Sequence, residues 1–282
     1  MAEYKDMAKV DAGMGGTAGA GITGAFKIRH ESGKFVIYAK LGACLGLGGE
    51  VSLKFETGYD TIYEFFKCVS YQLKRTDFNK ITDAIEEVAY QAYCQIKYLV
   101  IVGGRELSSF AEVSLIYIKS EFNQIMQEIN DAIKNGTKKA EDFIRRIRED
   151  LEKKTEGWII YAAPEVLGQI QRQIVFIGLS DSSALRGEAP ELMAMALEAP
   201  QTMNHLETVA ERMTTTMGSK QDKGTGFAMI NACVAGTPYS DCLVNAQQRL
   251  SSAQVLISQP FIWNSEPEFV VATLGIEHPM YS

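Results

Sequence analysis

Histidine is scarce in this sequence: His30, His205 and His278 are the only three, and they stand far apart. The five cysteines show no CxxC spacing. Structural zinc sites draw on Cys and His at short fixed spacings, so no metal site is expected, and no motif calls for a cofactor. Cys44, Cys68 and Cys94 lie among apolar residues and read as reduced core thiols. Cys233 and Cys242 flank a Gly-Thr-Pro turn and are placed to approach each other. The chain reads as one made in a reducing cytoplasm. It also lacks any apolar run near the roughly 20 residues that span a bilayer. Its opening, MAEYKDMAKVDAGMGG, has no apolar h-region, so no Sec signal is read there. A basic face is missing as well. The 28 Lys and Arg are outnumbered by 35 Asp and Glu, for a formal net charge of −7, which argues against a nucleic-acid partner. The densest basic stretch, Arg145, Arg146 and Arg148, is interleaved with Glu141, Asp142, Glu149 and Asp150 and reads as a solvated helix face.

Strand and helix periods divide what is present. Residues 1–20 are polar and then Gly/Ala-rich, a composition that favours a flexible lead-in. Phe26 and Ile28 alternate with Lys27 and Arg29, and KFVIYAK follows from Lys34 after a Glu-Ser-Gly turn. Val51, Leu53 and Phe55 alternate with Ser52, Lys54 and Glu56, the period of a half-buried strand. From Thr61 the period becomes helical. Thr61 and Glu64 make a capping box, and Ile62, Phe65, Phe66, Val69 and Leu73 form a stripe. A second helix is expected over 78–102, stopped by Gly103-Gly104. A third is expected from a Ser109–Glu112 capping box to Asn135-Gly136, and a fourth from Thr137 to Gly157. Ala163-Pro164, Ala189-Pro190 and Ala199-Pro200 each precede a helical run. Shorter helices are expected near 202–217, 227–235 and 240–258. The expected class is α+β: a glycine-rich antiparallel β hairpin or meander, then a mainly helical body. Residues 21–282 read as one domain, with 157–163 the place for a subdomain boundary.

Two apparent motifs do not survive inspection. Gly178-Leu179-Ser180-Asp181-Ser182 has Ser where a serine-hydrolase elbow needs Gly, and a helical pattern precedes it instead of a strand. The Gly-rich 13–24 stretch lacks the lysine of a phosphate-binding loop. An acidic group is more informative. Glu50, Glu56, Asp60 and Glu64 stand at the last strand and the strand-to-helix junction, beside Tyr59 and Tyr63. Glycoside hydrolysis uses two carboxylates about 5–9.5 Å apart, one kept protonated by apolar surroundings. Glu50 and Glu56 share a strand face but are about 20 Å apart at strand rise. Glu56 and Glu64 are placed to meet across the junction, with Tyr59, Asp60 and Tyr63 as sugar-contacting residues. The bland alternative is that Glu64 only caps its helix and Glu56 only ends its strand.

The run GKFVIYAKLGACLGLGGEVSLKFETGYDTIYEFFKCVSYQL, Gly33 to Leu73, resembles a segment of large antibacterial effectors delivered by the bacterial type VI secretion system. In them a glycine-rich β segment with the pattern AKxGxxxGLG leads into FE…I..EF and a helix with YQL. Some of these effectors resemble cell-wall hydrolases with a lysozyme-like module. The resemblance implies a toxin that leaves the cytoplasm without a Sec signal and cleaves the peptidoglycan glycan strand in the target periplasm. It implies Glu56 and Glu64 as the catalytic carboxylates, an immunity protein as partner, and contacts with the secretion apparatus through the rest of a larger protein. Two other functions fit the same residues: a non-catalytic accessory region of a larger toxin, and a membrane-active toxin.

Overall fold

A computed structural model describes residues 9–15, 26–31, 34–41, 50–56, 78, 87–110, 113–154, 157–180 and 184–253. Four strands come first: β1 (Lys9–Gly15), β2 (Phe26–Glu31), β3 (Lys34–Leu41) and β4 (Glu50–Glu56). They pair antiparallel in the order β1-β4-β3-β2. β1 falls in the stretch read as a lead-in. The expected first helix, from Thr61, lies outside the described residues.

Eight α-helices follow among the described residues. They are α1 (Glu87–Ile101), α2 (Leu115–Asn135), α3 (Lys138–Glu152) and α4 (Pro164–Leu179), then α5 (Ala189–Ala196), α6 (Met203–Glu211), α7 (Lys223–Val234) and α8 (Cys242–Ala253). The α+β expectation is overturned here. Residues 90–252 are 74% helix and contain no strand, so the class is mainly helical. The physical reason lies in the core. Its buried apolar residues run from Phe78 and Tyr90 to Leu250 and come from helices and the turns between them.

Local chemistry accounts for both ends of α2. Ser114 caps α2, its hydroxyl accepting from the Tyr117 amide at 3.2 Å. The capping box expected at Ser109 and Glu112 is therefore not the start of that helix. Ser109 stands in a 3-10 turn (Leu107–Phe110), where its hydroxyl donates to the Glu106 carbonyl at 2.7 Å. α2 ends where Gly136 takes a left-handed conformation and its amide turns back to the Ala132 and Ile133 carbonyls. α3 buries Phe143, Ile144 and Ile147. Its outer face carries Arg145, which pairs with Asp142 and Glu149 at 3.0 and 3.2 Å.

Asp150 departs from the solvated face expected for it. It is buried, and its carboxylate accepts from the Trp158 and Ile159 amides at 3.0 and 2.7 Å. The chain passes so close that a Cβ on Gly157 would lie 2.3 Å from the Asp150 carbonyl oxygen. A glycine is required there. Asp150 thus anchors the reversal between α3 and α4.

α4 is the central element. It packs against α1, α2, α5, α6 and α7. Pro164 opens it, as the proline signal predicts, and fourteen of its sixteen residues are buried. A helix surrounded on nearly all sides should be apolar nearly all round. α4 instead encloses Glu165, Gln169, Gln171, Arg172 and Gln173.

Candidate functional site

The densest constellation of polar chemistry in the described residues is built on the first turns of α4. Glu165 projects into the interior, where both of its oxygens are engaged. Oε2 accepts from the Tyr90 hydroxyl on α1 at 2.5 Å, and Oε1 pairs with Arg212 Nη2 at 3.0 Å. The side chains of Glu165 and Arg212 are only 9% and 14% exposed, so this pair is held away from water. Arg212, just past α6, also donates through Nη1 to the Gly218 carbonyl at 3.1 Å. Gln169, one turn along α4, donates to the Arg212 and Thr214 carbonyls at 3.3 and 3.1 Å. Contact between the two segments is close: a Cβ on Gly168 would lie 2.7 Å from the carbonyl carbon of Arg212.

Cys94 and Lys97 flank this cluster from α1. Burial, and then the negative charge of Glu165, push the Cys94 thiol well above its ordinary range. Burial also raises the Tyr90 phenol, with the charges of Cys94 and Glu165 adding to it. Lys97 is fully buried. Its ammonium donates to the Tyr161 carbonyl at 2.5 Å and lies 5.5 and 5.6 Å from the ring centroids of Tyr93 and Trp158. His205, on α6, is buried with its ring 4.8 Å from that of Phe78.

These features decide what the cluster can do. A general acid or base must reach a substrate proton, and Glu165 has both oxygens occupied by groups of its own chain. A nucleophilic cysteine acts as thiolate, whereas Cys94 is enclosed and held protonated. The arrangement is an ionic clasp. It ties α1, α4 and the segment after α6 into one unit.

Of the two residues read as catalytic, only Glu56 is described. Glu56 is the last residue of β4, where the register sets it opposite Lys9 on β1 and Val36 on β3. Glu64, Tyr59, Asp60 and Tyr63 lie outside the described residues. Among the described residues, no group of three or more His, Cys, Asp or Glu is placed to hold a metal ion. No helix among them is long and apolar enough to cross a membrane. Cys233 and Cys242 are both free thiols, and burial pushes Cys233 up to about 11. Cys233 lines a groove of about 530 Å³ together with Gly178, Arg186 and Tyr239. Gly178 and Leu179, the start of the rejected elbow, are the last two residues of α4.

Glu165 was accessible to sequence reasoning only as a first-turn acid behind a proline. A weak signal was present. The run VLGQIQRQIVFIGL places four polar residues inside an otherwise apolar helix. The partners of Glu165 stand 75 residues upstream and 47 downstream, which no local pattern reveals. No family model matches the chain, and no curated protein or solved structure matches it.

Proposed function

We propose that the helical body from α1 to α8 is a non-catalytic scaffold within an antibacterial effector of the kind that Gly33–Leu73 resembles. On this reading, hydrolysis of the peptidoglycan glycan strand belongs to Glu56 and Glu64. The supporting observation for the scaffold is the closure of the Glu165 cluster. Its carboxylate is matched by Arg212 and Tyr90, and its thiol is held protonated, so the richest polar constellation of the body serves cohesion. Support for the hydrolytic role is the resemblance, together with the two-carboxylate requirement of glycoside cleavage.

The test is release of new reducing ends from purified peptidoglycan by the whole chain, run beside Glu56→Gln, Glu64→Gln and Cys94→Ser. The expected result is cleavage by the parent and by Cys94→Ser, and loss of cleavage in either glutamine variant whose circular dichroism matches the parent. Loss of cleavage in a folded Cys94→Ser protein would overturn the scaffold assignment. A folded parent that releases no reducing ends would remove the hydrolytic role and leave an accessory region of a larger toxin.

A further inference from the structure

Cys233 and Cys242 stand apart from the Glu165 cluster, at the two ends of one turn. Cys233 sits in the last turn of α7 and Cys242 opens α8, and these helices pack against each other. The chain between them folds back through a left-handed Gly236 and three short backbone bonds. The Thr237 amide donates to the Val234 carbonyl at 3.2 Å, Ser240 to Thr237 at 3.2 Å, and Cys242 to Tyr239 at 2.9 Å. The Thr237 hydroxyl adds a second bond to the Val234 carbonyl, at 2.7 Å, and accepts from the Tyr239 amide at 3.2 Å. The connection is a hydrogen-bonded hairpin turn. Both cysteines meet the same core: Cys233 belongs to it, and Cys242 packs against it.

The two thiols differ in access and in reactivity. Cys233 is buried. Its thiol donates to the Ile174 carbonyl at 3.9 Å and lies so near α4 that a Cβ on Gly178 would come within 2.7 Å of the sulfur. Burial holds that thiol protonated, and a negative charge on Cys242 raises it further, so the two sulfurs are in electrostatic reach across the turn. Cys242 is only partly buried. Burial raises its thiol too, but its own amide and that of Leu243, at the start of α8, favour the thiolate. Cys94, the other cysteine among the described residues, is enclosed on α1 beside Glu165.

The structure assigns Cys233 and Cys242 as a thiol–disulfide modification site that a small-molecule disulfide, such as glutathione disulfide, closes into an intrachain bond. The Cys242 thiolate attacks one sulfur of glutathione disulfide. That S–S bond breaks and releases one glutathione, which takes up the proton that Cys242 gave up. Cys233 then loses its proton and attacks the Cys242 sulfur. The mixed disulfide breaks and the second glutathione leaves with that proton. Two protein thiols are oxidised by two electrons, and one glutathione disulfide is reduced to two thiols. The oxidant has to reach only the outer sulfur, because the inner one resolves the mixed disulfide from within. Closure ties the end of α7 to the start of α8 and turns the Cys233 sulfur away from α4. This site is independent of any glycan cleavage at Glu56 and Glu64.

The experiment equilibrates the whole chain, folded and in urea, with glutathione buffers of increasing disulfide content, then alkylates the remaining thiols and digests with trypsin. Residues 224–249 leave as one fragment holding both cysteines, cut after Lys223 and Arg249. The expected result is a fragment lighter by two hydrogens, free of alkyl groups and restored by dithiothreitol. Half-conversion of the folded chain should come at a glutathione ratio at least about tenfold more reducing than in urea, since the fold holds the pair together. A folded Cys233→Ser protein should stop with glutathione on Cys242. A folded Cys242→Ser protein should take up glutathione at least about tenfold more slowly, because its remaining thiol is buried and protonated. A folded parent whose fragment keeps two alkyl groups would place the cysteines beyond bridging distance, about 7 Å between Cα atoms, and overturn the proposal. So would half-conversion at the same ratio folded and unfolded, or pairing of either cysteine with Cys94 instead.

Discussion

α3 and α4 are neighbours of nearly equal length, yet they solve opposite problems. α3 has one wet side. On that side Arg145 pairs locally, with residues three and four positions away, and water screens whatever is left over. α4 has almost no wet side, and its polar groups find partners only across large sequence distances, as Glu165 does with Tyr90 and Arg212. The contrast teaches that charge count says little about what a charge does. An exposed pair contributes almost nothing to stability, whereas a buried one is costly to break because its abandoned partner remains out of water.

The sharpest way to break the comparison is to remove one side of the clasp. Glu165→Ala leaves Arg212 buried and unpaired and should cost about 3–5 kcal/mol in urea denaturation. A loss near that expected for a surface pair would erase the distinction between the helices. Next in size is Gly168→Ala, which drives a methyl group against the backbone at Arg212. Overpacking of that kind should cost about 1–3 kcal/mol, read by the same denaturation.

A smaller effect belongs to pH. Cys94 and Tyr90 ionise less readily folded than unfolded, so the unfolded chain loses protons first as pH rises. Their contribution to stability is full below about pH 9 and fades as pH climbs toward the raised folded values. Stability followed from pH 8 to 11 should therefore decline, and the decline should be shallower in Cys94→Ala. An identical slope in the variant would show that Cys94 takes no part. Smallest of all, Arg145→Ala on the outer face of α3 should leave the urea midpoint unchanged within error.

Legibility in the sequence followed the same divide. α3 was readable because an amphipathic helix writes its burial into its period: a helix is expected from Thr137, and the one found there buries Phe143, Ile144 and Ile147. The stop at Asn135-Gly136 was readable because a left-handed cap favours glycine. Asp150 was misread as solvated because its charged neighbours are, while its partners, the amides of Trp158 and Ile159, carry no side-chain signature. The class expectation leaned on period-2 runs in the first 56 residues, but a fold's class is set by what packs its core, and here helices do. The interior of α4 was opaque for a further reason. Periodicity vanishes when every face is buried, and a long-range ion pair leaves no local trace. Of the candidate catalytic residues only Glu56 falls on a described element, the end of β4.

The clasp at Glu165 also imposes an order on synthesis. A ribosome delivers α4 well before the arginine that neutralises its acid, which lies 47 residues further on. At about 5–20 residues per second, the emerging chain waits roughly two to ten seconds with that carboxylate uncompensated. During that interval α1, α2 and α3 can assemble from contacts near in sequence, while α4 has reason to remain hydrated. Closure of the body is thereby deferred until the segment after α6 has left the exit tunnel.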